Sequence, residues 1–288
     1  MKVARTPADL GRRRRAVAIG TFDGVHLGHR AVVRAAVDAG LVATGITFDP
    51  HPRAVLGQPV PLLASLERRV ELLAGCGLDE ILVVPFTPAV AELEPEAFVR
   101  DYLLAIGTEV VAAGTGFRFG RGRSGDLGLL AALGLDVRTV PLVEGVSSTR
   151  IRALAEAGEV AEAARLLGRP LEVEGVVVGG DHRGTGLGFP TANLDVRPEL
   201  AVPANGIYAG AVADVRAAVS IGVNPHYGGD ERRVEAFLLD WEGDLYGQRL
   251  VVELWRRLRD EQAFSGEDQL VEQIARDVEA TRAATRPG

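Results

Sequence analysis

Cysteine occurs once in the 288-residue chain, at Cys76, which excludes an internal disulfide and leads to the expectation of a reducing, cytoplasmic setting. Long apolar runs are missing as well. Nothing approaches the roughly 20 residues that cross a bilayer, so the expectation is a soluble protein with no membrane partner. The arginine run 12–15 is followed only by the apolar stretch 16–19 before Gly20, too short for the apolar part of an export signal, and it reads as a solvated approach to a strand. Positive charge is outnumbered: 32 basic against 39 acidic residues leave a net charge of -7, which argues against nucleic acid as a partner. Anionic substrates must then be held by local groups. Lys2 is the only lysine, a bias on which no function is built. Internal repeats and low-complexity segments are also lacking.

The length suits about two domains. From residue 17 to 168, short β-branched or apolar runs at 17–20, 41–48, 80–86, 109–113 and 136–141 alternate with helical spacing at 28–39, 65–75, 95–106 and 125–133. Ser65 suits an N-cap and Pro95 a first helical turn. Alternation of this kind implies a parallel sheet covered on both faces, with ligands beyond the carboxyl ends of its strands. After Gly168 the texture changes. Strand patterns at 173–178, 207–213, 217–221, 233–239 and 249–254 follow without helices between them, the pattern of an antiparallel sheet or small barrel. A last helix is expected at 266–283 with Ser265 as N-cap. The expected division is therefore 1–168, α/β with a parallel sheet, and 169–288, an antiparallel β-barrel ending in a helix.

Residues 17–30, VAIGTFDGVHLGHR, read as strand, tight turn and helix. His26 and His29, three apart, share one face at a helix N-terminus, where free N–H groups and the helix dipole favour an anion. A metal pair is the alternative, but His51, His182 and His226 are scattered and Cys76 stands alone, a poor zinc set. Gly20, Gly24 and Gly28 at the junction let the backbone approach a ligand closely. Further on, residues 147–152, SSTRIR, open another helix whose hydroxyls, N–H groups and Arg152 suit phosphate oxygens; a plain cap with surface arginines is the other reading. TFDPHP at 47–52 and the basic, Gly-rich run 114–126 are by themselves a strand end and a loop.

In the second half, GFPTAN at 188–193 puts Thr191 and Asn193 on one side of an extended segment, where hydroxyl and amide oxygens suit a hard cation such as Mg²⁺. Glu235 is a carboxylate in an apolar strand, an unusual choice unless it is paired, here with Arg232 or Arg233, or catalytic.

The GxFDGxHxGH form of the first motif resembles the HxGH nucleotidyltransferases, and within them the adenylyltransferase half of the prokaryotic bifunctional riboflavin kinase/FMN adenylyltransferase (FAD synthetase) family. GLGFPTANL at 186–194, NGIY at 205–208, GVNP at 222–225, VEAF at 234–237 and GDLYG at 243–247 resemble, in order, the family's kinase module. The resemblance implies a Rossmann-like N-terminal domain and a riboflavin kinase barrel, with ATP, riboflavin, FMN and FAD as substrates or products and Mg²⁺ as cofactor. It implies that Gly20, Phe22, Asp23, Gly24, His26, Gly28, His29, Ser148, Thr149 and Arg152 bind ATP for adenylylation, with His26, His29 and Arg152 catalytic. Phe48, Phe117 and Phe119 would wall the flavin, Thr191 and Asn193 would hold the metal, and Glu235 would be the kinase's general base. Three positions depart from the family pattern: Gly116 replaces Asp or Asn, Thr185 a basic residue, and His226 a threonine. Rival readings are an enzyme with one activity lost and a flavin-binding regulatory protein without turnover.

Overall fold

The computed structural model describes residues 1–179, 189–223 and 232–288. The chain forms two compact units, one of Met1–Val60 with Leu66–Val146, the other of Pro61–Ser65 with Ser147–Gly288.

The first unit is built on a six-stranded sheet of β1 (Lys2–Ala4), β2 (Arg15–Ile19), β3 (Val42–Asp49), β4 (Glu80–Pro85), β5 (Thr108–Gly114) and β6 (Asp136–Val140) in the order β1-β4-β3-β2-β5-β6. Every neighbouring pair is parallel. Its helices are α1 (Pro7–Leu10), α2 (Leu27–Val37), α3 (Pro52–Val55), α4 (Leu66–Ala74), α5 (Pro88–Ala91), α6 (Pro95–Phe98) and α7 (Leu127–Ala132), with a π turn at Val99–Leu103 and a 3-10 turn at Leu104–Ile106 after α6. The period of two along each strand divides the core. Val17, Ile19, Ile46 and Val111 face Phe98, Val99 and Ile106, while Ala16, Ala18, Ile81 and Ala112 face Val32, Val33 and Ala36 of α2. Burial on both faces explains why these strands read as near-continuous apolar runs.

The arginine run corrects the expectation of a solvated segment. Arg14 is exposed beside Glu109, but Arg15 is fully buried. Its guanidinium meets the Glu80 carboxylate at 2.9 Å and donates to the carbonyls of Leu10 at 3.1 Å, Gly11 at 2.9 Å and Ile106. Breaking such a pair from one side leaves a buried charge and costs about 3–5 kcal/mol.

The second unit contains α8 (Ser148–Glu156), α9 (Val160–Leu167) and a closed barrel of β7 (Leu171–Val178), β8 (Ala192–Asp195), β9 (Gly206–Val212), β10 (Val215–Val223), β11 (Arg232–Leu238) and β12 (Arg249–Arg259), in the order β10-β11-β8-β7-β12-β9. All of its pairings are antiparallel. Val173, Leu194, Val219, Val234, Ala236 and Val252 fill it, and Ile151, Val160 and Leu167 of the two helices extend the same core. Residues 61–65 add a short strap: Leu62 bridges Leu200, and the Ser65 N–H donates to Glu174 at 2.7 Å. The last helix, α10 (Glu267–Ala283), begins after Gly266 rather than at the expected Ser265 cap. The Ser265 hydroxyl instead bonds the Gln269 side chain at 2.8 Å. Asp277 anchors this helix through Arg259 at 2.7 Å.

Candidate active sites

Strand order reverses beside β2: β3 and β4 lie on one side, β5 and β6 on the other. In open α/β sheets that switch point is where ligands bind, and the segment leaving β2 there is the histidine motif. Its turn is held left-handed at Phe22 (φ 51), Gly24 (φ 80) and Val25 (φ 42). For a β-branched residue this is a strained backbone. Burial of Phe22 and Val25 in the core and the Val25 N–H to Phe22 O bond at 3.1 Å hold it in place.

His26 is the N-cap of α2, its Nδ1 accepting the His29 N–H at 3.3 Å. The two imidazoles stack at 3.6 Å between centroids and 15° between planes, and the Phe22 ring meets His29 edge-on at 5.4 Å. A Cβ on Gly28 would lie 3.2 Å from the His26 ring, so a larger residue there would push that imidazole by a few tenths of an ångström. Burial, then the neighbouring His26 and Arg69, hold the His29 pKa well below its ordinary value. The imidazole is neutral at pH 7, and its buried Nδ1 has no partner among the described residues. Asp23 is buried in the same turn.

The aromatic wall comes from the strands flanking β2. Phe48 near the end of β3 and Phe119 after β5 are buried, and Phe117 is half-buried. Phe117 stacks on Phe119 at 5.6 Å, Phe119 leans on Phe98 at 5.8 Å, and Phe48 meets Phe86 edge-on at 5.6 Å. Phe98 links the two buried rings, lying 6.3 Å from Phe48 and 5.8 Å from Phe119, and Phe117 is the more exposed of the three motif rings. Gly116 is exposed, with open space around the position a Cβ would take.

The SSTRIR motif belongs to the second unit. Ser147 caps α8, its Oγ accepting the Arg150 N–H at 3.2 Å. Ser148 and Thr149 form the first turn, and Arg152 Nε donates to Pro61 O at 2.6 Å.

On the barrel, strand register carries the geometry. Val234 and Ala236 point inward, so Glu235 between them stands on the outer face. It is directly opposite Asn193 on one side and Ser220 on the other, and Asn193 is opposite Val178. Directly opposed residues share a face with Cβ atoms about 5 Å apart. Thr191 lies just before β8. On the same face Phe237 meets Phe189 edge-on at 5.4 Å. Thr185 and His226 lie outside the described residues.

Arg69 belongs to none of the motifs, and Thr47 stands in the segment 47–52 that the resemblance places on the flavin side, with no part in the histidine turn. Arg69 is buried in α4, and both side chains bond the Thr21 carbonyl, Arg69 Nη1 at 2.8 Å and Thr47 Oγ1 at 3.0 Å. The spacing of Leu66, Arg69, Val70 and Leu73 does put an arginine on the apolar stripe of its helix, and that was the available signal.

Two family models divide the chain: FAD synthetase matches residues 10–153 and riboflavin kinase residues 167–285. Among curated relatives, the bifunctional riboflavin kinase/FMN adenylyltransferase of Listeria monocytogenes is 37% identical, covering 93% of this chain and 91% of its own. Those of Escherichia coli K12 and Bacillus subtilis are 36% and 33% identical, each over 91% of this chain and 90% and 89% of their own. A crystal structure from Streptococcus pneumoniae described as a macrolide-efflux protein superposes with a TM-score of 0.87 at 33% identity, over 97% of this chain and 98% of its own. Among the described residues no helix is long and apolar enough to cross a membrane. With both modules present in one order and relatives aligned over nearly its whole length, the chain belongs to the bifunctional riboflavin kinase/FMN adenylyltransferase family.

Proposed function

We propose that this family member makes FAD in two ATP-dependent steps at separate sites: riboflavin is phosphorylated on the outer face of the barrel, and FMN is adenylylated at the carboxyl ends of β2, β3 and β5. The observation that carries the reading is the pairing of two built sites in one chain, the stacked His26–His29 turn at the switch point and Glu235 in register with Asn193.

For adenylylation, an FMN phosphate oxygen attacks the α-phosphorus of ATP and pyrophosphate leaves. Alignment and neutralisation of charge are what such a transfer needs. Gly20, Phe22, Asp23, Gly24 and Gly28 shape the turn around ATP. His26 and a neutral His29 donate hydrogen bonds to phosphate oxygens, and because Nδ1 of His29 is closed off, Nε2 is the atom that meets the substrate. The family resemblance assigns Ser148, Thr149 and Arg152 to phosphate oxygens as well, for which Arg152 offers a fixed fork of donors. Phe117 faces the flavin, with Phe48 and Phe119 as the buried part of the same wall.

For phosphorylation, Glu235 takes the proton of the ribityl 5′-hydroxyl as it attacks the γ-phosphorus. Thr191 and Asn193 would hold Mg²⁺. Hydroxyl and amide oxygens fit a hard cation, and the phosphates supply the negative charge this neutral pair lacks. When bound, the ion neutralises charge on the transferring phosphoryl group. The functional division is set at 1–168 and 169–288, and the reactions are assigned to the cytoplasm, with small molecules rather than nucleic acid or membrane as partners. A time course with riboflavin, ATP and Mg²⁺ tests the reading: FMN should rise first and FAD follow. Unchanged riboflavin at saturating ATP would overturn it.

A further inference from the structure

Arg69 is 2% exposed, and burying a guanidinium is costly unless every donor is met. Its Nε is buried with no partner among the described residues. Its Nη1 donates to Thr21 O at 2.8 Å, and Nη2 lies 3.7 Å from Asp49 Oδ1. Thr21 immediately precedes the left-handed Phe22, whose ring edge rests on His29. A chain of contacts therefore runs from the guanidinium through the Thr21 carbonyl and the Phe22 ring to the imidazole. Thr47 Oγ1 grips the same carbonyl from β3 at 3.0 Å.

We propose that Arg69 is a positioning residue for adenylyl transfer, clamping the Thr21 carbonyl from beneath the histidine turn so that Phe22 fixes the aim of His29, with Thr47 as the second jaw. This rests on the assignment of His29 to that step. The charge has a second effect in the same direction: a fixed cation beside His29 disfavours imidazolium, and buried Asp23 and nearby Asp49 keep Arg69 itself charged in spite of its burial.

The test follows FMN-to-FAD and riboflavin-to-FMN rates in Arg69→Met, Arg69→Lys, Thr47→Val and His29→Ala proteins. A mis-set catalytic group costs about a hundredfold, so Arg69→Met should lose about that in kcat for FAD formation with KM for ATP and FMN within twofold and FMN formation unchanged. Arg69→Lys should restore part of the loss. Thr47→Val, which swaps a hydroxyl for a methyl and keeps the fold, should lower the same kcat about two- to twelvefold, the worth of one hydrogen bond. If Thr47→Val and a folded Arg69 variant both keep wild-type kcat, or raise KM instead, the clamp is wrong. If His29→Ala itself keeps wild-type FAD formation, the assignment of the site has failed.

Discussion

His29 sits half-buried behind a left-handed turn, its Nδ1 closed off and its pKa held well below the ordinary value, whereas Glu235 stands half-buried on the outside of a barrel, level with Asn193. The first depends on many distant supports: a strained backbone, a stacked ring, a ring edge and a buried cation. The second depends on strand register, which the alternation of apolar residues already enforces. A site of the first kind should be sensitive to its surroundings, and one of the second kind to its own side chains.

The sharpest break in that comparison is the loss of one group from each site. Glu235→Gln keeps the shape and removes the proposed base, so FMN formation should fall about 10²–10⁴-fold while FAD formation from supplied FMN persists. His29→Ala should do the reverse, with FAD formation down about 10²–10³-fold, as for loss of a charge-stabilising donor. Separate rate measurements from riboflavin and from FMN check both.

Truncation probes the same contrast through stability. A fragment of Ser147–Gly288 keeps α8 and α9, whose Ile151, Val160 and Leu167 belong to the barrel core, and one starting at Leu171 strips them away. Each buried aliphatic side chain is worth about 1.5–3 kcal/mol, so the shorter fragment should melt at least about 10 °C lower. Both should still form FMN, since the Glu235–Asn193 register is intact. Equal melting temperatures would show that the two helices do not support the barrel.

Acid should distinguish the sites next. His29 titrates near 6.5 when unfolded and well below that when folded. Between those values the unfolded chain binds more protons, so the stability that goes with a neutral His29 is complete above about 6.5 and is lost as pH falls below it. Melting from about pH 7.5 to about pH 5.5 should show a smaller fall in Tm for His29→Gln than for the wild type. An identical fall would mean the imidazole is not held neutral.

The smallest effect concerns Gly116, where open space would admit the side chain the family carries. Gly116→Asn should lower KM for FMN in adenylylation about two- to twelvefold, the worth of one added hydrogen bond, with KM for ATP unchanged. A raised or unchanged KM for FMN would show that the contact is already made by another group.

Most of this architecture is legible in the chain because burial leaves a periodic trace. Strands expected at 41–48 and 136–141 run Val42–Asp49 and Asp136–Val140, and the histidine turn, the α8 cap and the Glu235 strand all announce themselves by motif. What escaped has a physical reason. The edge strand Lys2–Ala4 is three residues long, too short for a period, and Ala192–Asp195 has one inward side chain to betray it. Arg15 and Arg69 look like surface charge, because most of their bonds go to the carbonyls of Leu10, Gly11, Ile106 and Thr21, which leave no mark in a sequence, and the carboxylates they meet, Glu80 and Asp49, lie far along the chain. The register of Asn193 with Glu235 joins strands 42 residues apart, a relation only the closed barrel supplies.

The central claim, two independent sites joined by a diffusible FMN, is tested most directly by mixing the His29→Ala and Glu235→Gln proteins with riboflavin, ATP and Mg²⁺. Alone, the first should stop at FMN and the second should leave riboflavin largely unconverted. Together they should form FAD, one protein supplying FMN to the other. A mixture that stalls at riboflavin or at FMN, although each protein keeps its remaining activity when assayed alone, would contradict the account.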